Sequence, residues 1–441
     1  MRKRKAVLIC LVLGLVLGLL TACTMHERRI SGSITAGDTS LSGAVIRIQT
    51  TSQYTLSDKD GSFEFTGLKR GSTYALTAWA PGYYIAGGIP VAAGTTDHII
   101  ILQPIPARDN PDYQWLSAYQ DHQDHDSDEG NPCQKCHSDA SGMLPFEEWQ
   151  QDSHSQTASN PVFLTMYTGT DVAGNPGQYT RTGTSRDYGD YPLKPDPDQP
   201  DYGPGYKLDY PETAGNCSAC HLPGAAVNHP YDTDPTSVSS IGSEGINCDF
   251  CHKIQSTYLD ERTGLPHPNR PGVLSIDLLR PSLGHQVFIG PLDDVAPGED
   301  TYSPHQSQSE FCAACHFGVF WDTVIYNSYG EWLESEYADP QSTQYQTCQD
   351  CHMPPSGTDH FARIEAGGLI RDPETIASHK FLGIGDADFM RQSSDLSVTV
   401  MRSSDSLDVT ATIENNQTGH HLPTDSPLRP VSYTHLTLPT N

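Results

Sequence analysis

The chain reads as a multidomain protein: an N-terminal β-sandwich, a loop-rich and mainly α segment built around a repeated motif, and the start of a truncated C-terminal β-domain. Three observations predict this. Between Ile30 and Pro104, short alternating segments are separated by Gly-containing turns, the pattern of half-buried strands. Between Cys133 and His352 the pattern C-x-x-C-H occurs five times. Beyond residue 390, Leu396–Val400 and Leu407–Ile413 resume the two-residue period. The expected divisions are a leader at 1–22, a tether at 23–29, the sandwich at 30–104 and a linker at 105–121. The motif domain follows at 122–390, an incomplete β-domain at 391–430 and an artefactual tail at 431–441.

The five copies are Cys133-Gln134-Lys135-Cys136-His137, Cys217-Ser218-Ala219-Cys220-His221, Cys248-Asp249-Phe250-Cys251-His252, Cys312-Ala313-Ala314-Cys315-His316 and Cys348-Gln349-Asp350-Cys351-His352. With 12 Cys and 19 His in 441 residues, chance yields about 0.01 copies. The pattern is the attachment signature of c-type haem. Two thiols at this spacing add to the two vinyl groups of one porphyrin, and the adjacent His comes to lie beneath the iron as proximal ligand. Five covalently bound c-type haems are therefore expected. Disulfides or zinc knuckles are the alternatives for ten cysteines, but neither calls for a His after every second Cys. The remaining cysteines, Cys10 and Cys23, both lie in the N-terminal segment.

That segment reads as an export signal. Arg2-Lys3-Arg4-Lys5 is basic and Ala6–Leu20 is apolar, too short for a comfortable membrane span. It ends in Leu20-Thr21-Ala22-Cys23, which resembles a bacterial lipobox and implies lipidation of Cys23. The protein is expected to be exported and lipid-anchored, on the periplasmic side of a membrane or at the cell surface. Loss of the leader's four basic residues takes the net charge from −28 to −32. Such a surface repels nucleic acid and suits basic or haem-containing redox partners. Hydrophobic content is only 36%, with 38 Gly and 33 Pro, which predicts loop-rich structure. The 21 Tyr and 12 Phe argue against general disorder.

Within the sandwich, Ile30–Ile34, Gly43–Ile48, Ser62–Phe65, Gly71–Ala78 and His98–Leu102 read as strands, with a turn at Asp58–Gly61. The opening Ile-x-Gly, Leu41-x-Gly43-Ala44, Asp60-Gly61-Ser62-Phe63 and Ala80-Pro81-Gly82-Tyr83 resemble the carboxypeptidase regulatory-like family. The resemblance implies a transthyretin-like, non-catalytic module.

In the motif domain, the spacing of Phe146, Trp149 and Ser153 predicts one helical face. Residues 168–211 read as a long excursion. Motifs two and three start 31 residues apart and motifs four and five 36 apart, which predicts two close pairs. Residues 130–385 resemble multihaem cytochromes of the cytochrome c-554 and hydroxylamine oxidoreductase-like group. The likeness rests on Glu244-Gly245-Ile246-Asn247, Ser309-Glu310-Phe311, Tyr329-Gly330-Glu331-Trp332-Leu333 and Met353-Pro354 after the last motif. Each iron has a sixth position, and 14 His lie outside the motifs. His154, His285, His305 and His379 are the leading distal candidates, followed by His125, His229 and His360. His420 and His421 sit in a turn that reads as a loop.

Residues 431–440 resemble the translation of a transposon-type sequencing adaptor. That reading makes the chain a truncated fragment whose last β-domain lacks partner strands.

The functional expectation is an extracytoplasmic multihaem cytochrome carrying electrons between membrane or surface partners in anaerobic respiration. A multihaem oxidoreductase acting on a small nitrogen or sulfur compound is the first alternative. A surface binding or assembly protein using its β-modules is the second. The residues do not decide whether the chain is an enzyme; every motif ends in His, and a carrier is favoured.

Overall fold

The computed structural model describes residues 28–120, 132–170, 182–186, 189–192, 205–320 and 322–425. The leader with Cys23, the segment carrying His125, parts of the 168–211 excursion and the adaptor-like tail lie outside them. The chain divides into two compact units, Met1–Ile105 with Leu292–Tyr302, and Pro106–Pro291 with Ser303–Asn441.

The first unit is the expected β-sandwich. In one sheet β1 (Arg28–Ala36) pairs antiparallel with β2 (Thr39–Ser40) and β5 (Ser62–Leu68), and parallel with β8 (His98–Ile101). The other sheet runs β4 (Tyr54–Leu56), β3 (Val45–Ile48), β6 (Thr73–Trp79), β7 (Ala86–Ala92), all antiparallel. Alternation sends Ile30 and Ile34 of β1, Phe63 and Phe65 of β5, Ile46 and Ile48 of β3, and Leu76 and Ala78 of β6 into one core. The Asp58–Gly61 turn is also as expected. Gly61 N–H donates to the Asp58 carbonyl, and Asp60 accepts from the Ser62 hydroxyl at 2.7 Å.

Two features were not legible in the sequence. The strand β7 contains Gly87-Gly88-Ile89-Pro90, a poor strand pattern. Its Pro is tolerated because β7 is the sheet edge. Gly87, at φ +98°, is required where the register shifts: a Cβ there would lie 2.2 Å from the Leu76 carbonyl oxygen. The second feature is residues 292–302, which fall between the third and fourth motifs yet belong to this unit. Arg47 donates to both Asp293 carboxylate oxygens at 2.6 and 2.9 Å. The Thr50 N–H donates to Asp294, and Trp79 Nε1 donates to the Thr301 hydroxyl, which donates to the Tyr83 carbonyl.

The second unit mixes short helices with two-stranded hairpins, so the expectation of a mainly α domain is corrected. Among the described residues the longest helix is Pro161–Thr168, capped by Asn160 and ended by Gly169 at φ +73°. The helix with Phe146 and Trp149 ends at Gln150 and does not reach Ser153. Frequent Pro and Gly stop helices after one or two turns. Hairpins pair Ile254–Thr257 with Ile276–Leu278 and Gly318–Phe320 with Thr323–Tyr326. The two C-terminal segments form another, Asp395–Arg402 with Leu407–Glu414. All of its residues are exposed, including Leu396, Val398 and Val400. Among the described residues no helix is long and apolar enough to cross a membrane.

The fully buried Ile46 makes the sandwich testable. Ile46→Ala should lower its unfolding free energy by about 2–5 kcal/mol, read as accelerated hydrogen exchange of β3 and β6 amides in the full chain.

Candidate functional site

Each motif forms a turn of helix. Gln134–His137 and Ser218–His221 follow directly on Cys133 and Cys217. Cys248–Cys251 is capped by Asn247, whose side chain accepts from the Phe250 N–H. The fourth motif ends the helix Glu310–His316. Cys348–His352 starts in a capping box between Thr347 and Asp350.

In a helix, residues i, i+3 and i+4 share a side. The two Cys and the His of each motif therefore face one way and the intervening pair faces the other. Ser218, Ala219, Asp249, Phe250, Ala313, Ala314 and Gln349 are all buried. Ala219, Phe250 and Ala314 join Ile254, Val273, Ile276 and Leu278 in one cluster. Gly272 makes this possible, because a Cβ there would lie 2.0 Å from the Ala219 carbonyl oxygen. The ten motif cysteines are half-buried and none of them pairs in a disulfide. Cys133 lies close enough to Cys248, Cys220 to Cys315 and Cys312 to Cys348 for each thiol to shift the other's ionisation. Contact thus runs from motif one to three, two to four and four to five. This is a wider grouping than the two pairs that sequence spacing suggests, since separation along the chain sets no distance in space.

The proximal candidates are held alike. His137 Nδ1 lies 2.8 Å from the Phe361 carbonyl, His252 Nδ1 2.8 Å from that of Ile289, and His352 Nδ1 2.5 Å from that of Leu382. His316 Nδ1 faces an Asp425 carboxylate oxygen at 3.3 Å. Such bonds fix the ring and leave Nε2 as the metal-facing nitrogen. His221 differs, its ring stacking on Phe163 at 3.8 Å. Desolvation lowers the pKa of His137, His252 and His352, and takes His221 down to about 4. That keeps these imidazoles neutral, as ligation requires. At His316 desolvation also lowers the pKa, but Asp425 outweighs it and raises the group to about 9. Two thiols and one imidazole on one side of each turn fit the expected porphyrin; at His316 a metal on Nε2 would displace the proton that the Asp425 carboxylate favours. Among the described residues no three His, Cys, Asp or Glu converge on a bare metal-ion position.

The distal candidates separate. His154 sits with its ring centre 6.3 Å from that of His316. Its carbonyl accepts from the Ile246 N–H, and a Cβ on Gly245 would lie 2.5 Å from that same oxygen. The Glu244–Asn247 stretch thus has local work at each position. Glu244 accepts from the Ser117 hydroxyl and the Ala118 N–H, Gly245 admits the His154 backbone, Ile246 bonds it, and Asn247 caps the third motif. His379 is half-buried, its N–H donating to Glu148. Desolvation pulls its pKa to about 3, with further lowering from His252 and His137, so it stands near the first and third motifs. His305 Nε2 is 3.1 Å from the Thr257 hydroxyl, and His285 and His229 are exposed. His420, read as a loop residue, has its ring centre 6.2 Å from that of His352. The only signal for it in the sequence is the Gly419-His420-His421 turn.

Residues 29–102 match the carboxypeptidase regulatory-like domain. The first unit's sandwich is that domain's expected architecture. No curated protein matches the chain significantly. Among solved structures, a penta-heme cytochrome c552 from Thermochromatium tepidum matches at 18% identity and TM-score 0.40, over 67% of each chain. An N-terminal interface mutant of a type II Cohesin-X-Dockerin complex from Acetivibrio cellulolyticus matches at 20% identity and TM-score 0.15, over 18% of this chain and 58% of that one. A DUF3823 family protein from Parabacteroides merdae matches at 18% identity and TM-score 0.14, over 18% and 46%.

The third motif carries a buried ion pair. Lys253 donates to Asp249 at 2.5 Å, both side chains wholly buried. Asp249 also accepts from the Leu116 N–H and the Tyr113 hydroxyl. Burial and this carboxylate push the Tyr113 phenol far above its ordinary pKa. Asp249→Ala should destabilise the second unit by about 3–5 kcal/mol by stranding Lys253. Adding Lys253→Met should recover most of the loss, as read by chemical denaturation.

Proposed function

We propose that the chain is an extracytoplasmic multihaem c-type cytochrome that carries electrons between redox partners. The observation that carries this reading is that all five Cys-x-x-Cys-His segments fold as turns presenting both thiols and the His on one side. The bound porphyrins would supply one-electron chemistry at iron. The chain's own residues do the rest. Cys133 and Cys136, Cys217 and Cys220, Cys248 and Cys251, Cys312 and Cys315, and Cys348 and Cys351 would form the thioethers. His137, His221, His252, His316 and His352 would be the proximal ligands. The motif cysteines lie near one another across motifs, so the attachment points would be close together, which favours transfer between them. The net charge of −28 favours a basic partner through electrostatic steering. Lipidation at Cys23 would keep the protein at a membrane surface after export. The regulatory-like domain would be a non-catalytic module.

The protein matured in a host with a c-type haem attachment system should carry five porphyrins that resist acid–acetone extraction, counted by intact mass. Replacing Cys348 and Cys351 by Ala should lower the count to four. Porphyrin that extracts completely from the wild type would overturn the reading.

A further inference from the structure

We propose that His154 with His316, and His352 with His420, are opposed axial ligands of two of the five irons. The proposal rests on the haem reading above and adds the pairing to it.

The first argument is separation. The two ring-centre distances are 6.3 and 6.2 Å. A metal–imidazole bond is about 2.0–2.1 Å, and the ring centre lies roughly 1 Å beyond the nitrogen. Two imidazoles on opposite sides of one metal therefore stand about 6 Å apart. Rings stacked face to face in contact stand closer, as His221 and Phe163 do at 3.8 Å, but His379 and Phe381 also stand at 6.3 Å, so separation is necessary and does not by itself select a pair.

The second argument is the free nitrogen. In all four rings Nδ1 meets an oxygen: His154 with Asp152 at 2.7 Å, His316 with Asp425 at 3.3 Å, His352 with the Leu382 carbonyl at 2.5 Å, and His420 with the His421 carbonyl at 3.0 Å. Each pair is thereby left with two Nε2 atoms for a metal.

The third argument is that the backbone is built to hold these rings. The His420 carbonyl accepts from Asn415 and Thr418, both at 2.7 Å. Glu331 accepts from the His421 N–H at 2.9 Å and the Thr424 hydroxyl at 2.7 Å. The Ser328 hydroxyl donates to Asp425 at 2.7 Å. The helix Ser328–Leu333 thus carries the turn that supplies both His420 and Asp425. His154 is fixed by Ile246 and by Asp152, whose side chain also accepts the His154 N–H at 2.8 Å. One pair is backed by two carboxylates and the other by two backbone carbonyls.

The test uses the full chain with its covalent haems. By low-temperature electron paramagnetic resonance, His154→Ala and His420→Ala should each convert one haem of five from low to high spin. That haem should also bind carbon monoxide, with five covalent haems still counted by mass. The double variant should convert two, and His229→Ala none. An unchanged low-spin count with five haems retained overturns the pairing and leaves the haem reading standing. Should an Ala variant fail to mature, His154→Met and His420→Met keep a ligand and should each raise the potential of one haem in a redox titration. Unchanged titrations overturn the pairing. A wild type without covalent haem overturns the haem reading, and the pairing with it.

Discussion

A single helical turn of Cys-x-x-Cys-His has to serve two environments at once, and the second unit is arranged around that demand. One side carries two thiols and an imidazole, which under the proposed function would hold a porphyrin. In the second, third and fourth motifs the other side carries two buried residues that hold the turn against the protein, whereas Lys135 and Asp350 of the first and fifth are exposed. Where those residues are small, as in Ser218-Ala219 and Ala313-Ala314, the turn packs closely on its neighbours. Where they are Asp249-Phe250, the ring enters the shared cluster and the carboxylate becomes a buried acceptor for Tyr113, Leu116 and Lys253.

The same need explains what an acidic chain does with its inward-facing carboxylates. Short helices and irregular connections leave many N–H groups without a ladder partner. Glu148 serves the His379 N–H, Glu244 that of Ala118, Asp249 that of Leu116 and Glu331 that of His421. Each of these bonds joins segments far apart in sequence. The carboxylates act as staples for loops, a role composition alone does not separate from solubility.

The sandwich shows which patterns carry information. Strands with clean alternation, such as Val45–Ile48 and Ser62–Leu68, are legible because one buried face imposes a period of two. The strand Ala86–Ala92 is not, because its Gly87 serves a close backbone approach and its Pro90 an edge position. Residues 292–302 are illegible for another reason. Asp293 and Asp294 read as ordinary acidic loop residues until Arg47 and the Thr50 amide are set beside them.

The sequence by itself determined the five motif spacings, with the residues proposed to hold porphyrin, and the sandwich strands of clean alternation. These follow from spacings of two, three and four residues, the range over which backbone geometry is fixed locally. Tertiary structure alone decided which motifs touch, that His420 faces His352, and that Asp425 stands behind His316. Those relations join positions 68 and 109 residues apart, and a chain rich in Gly and Pro turns carries no local period that could encode them.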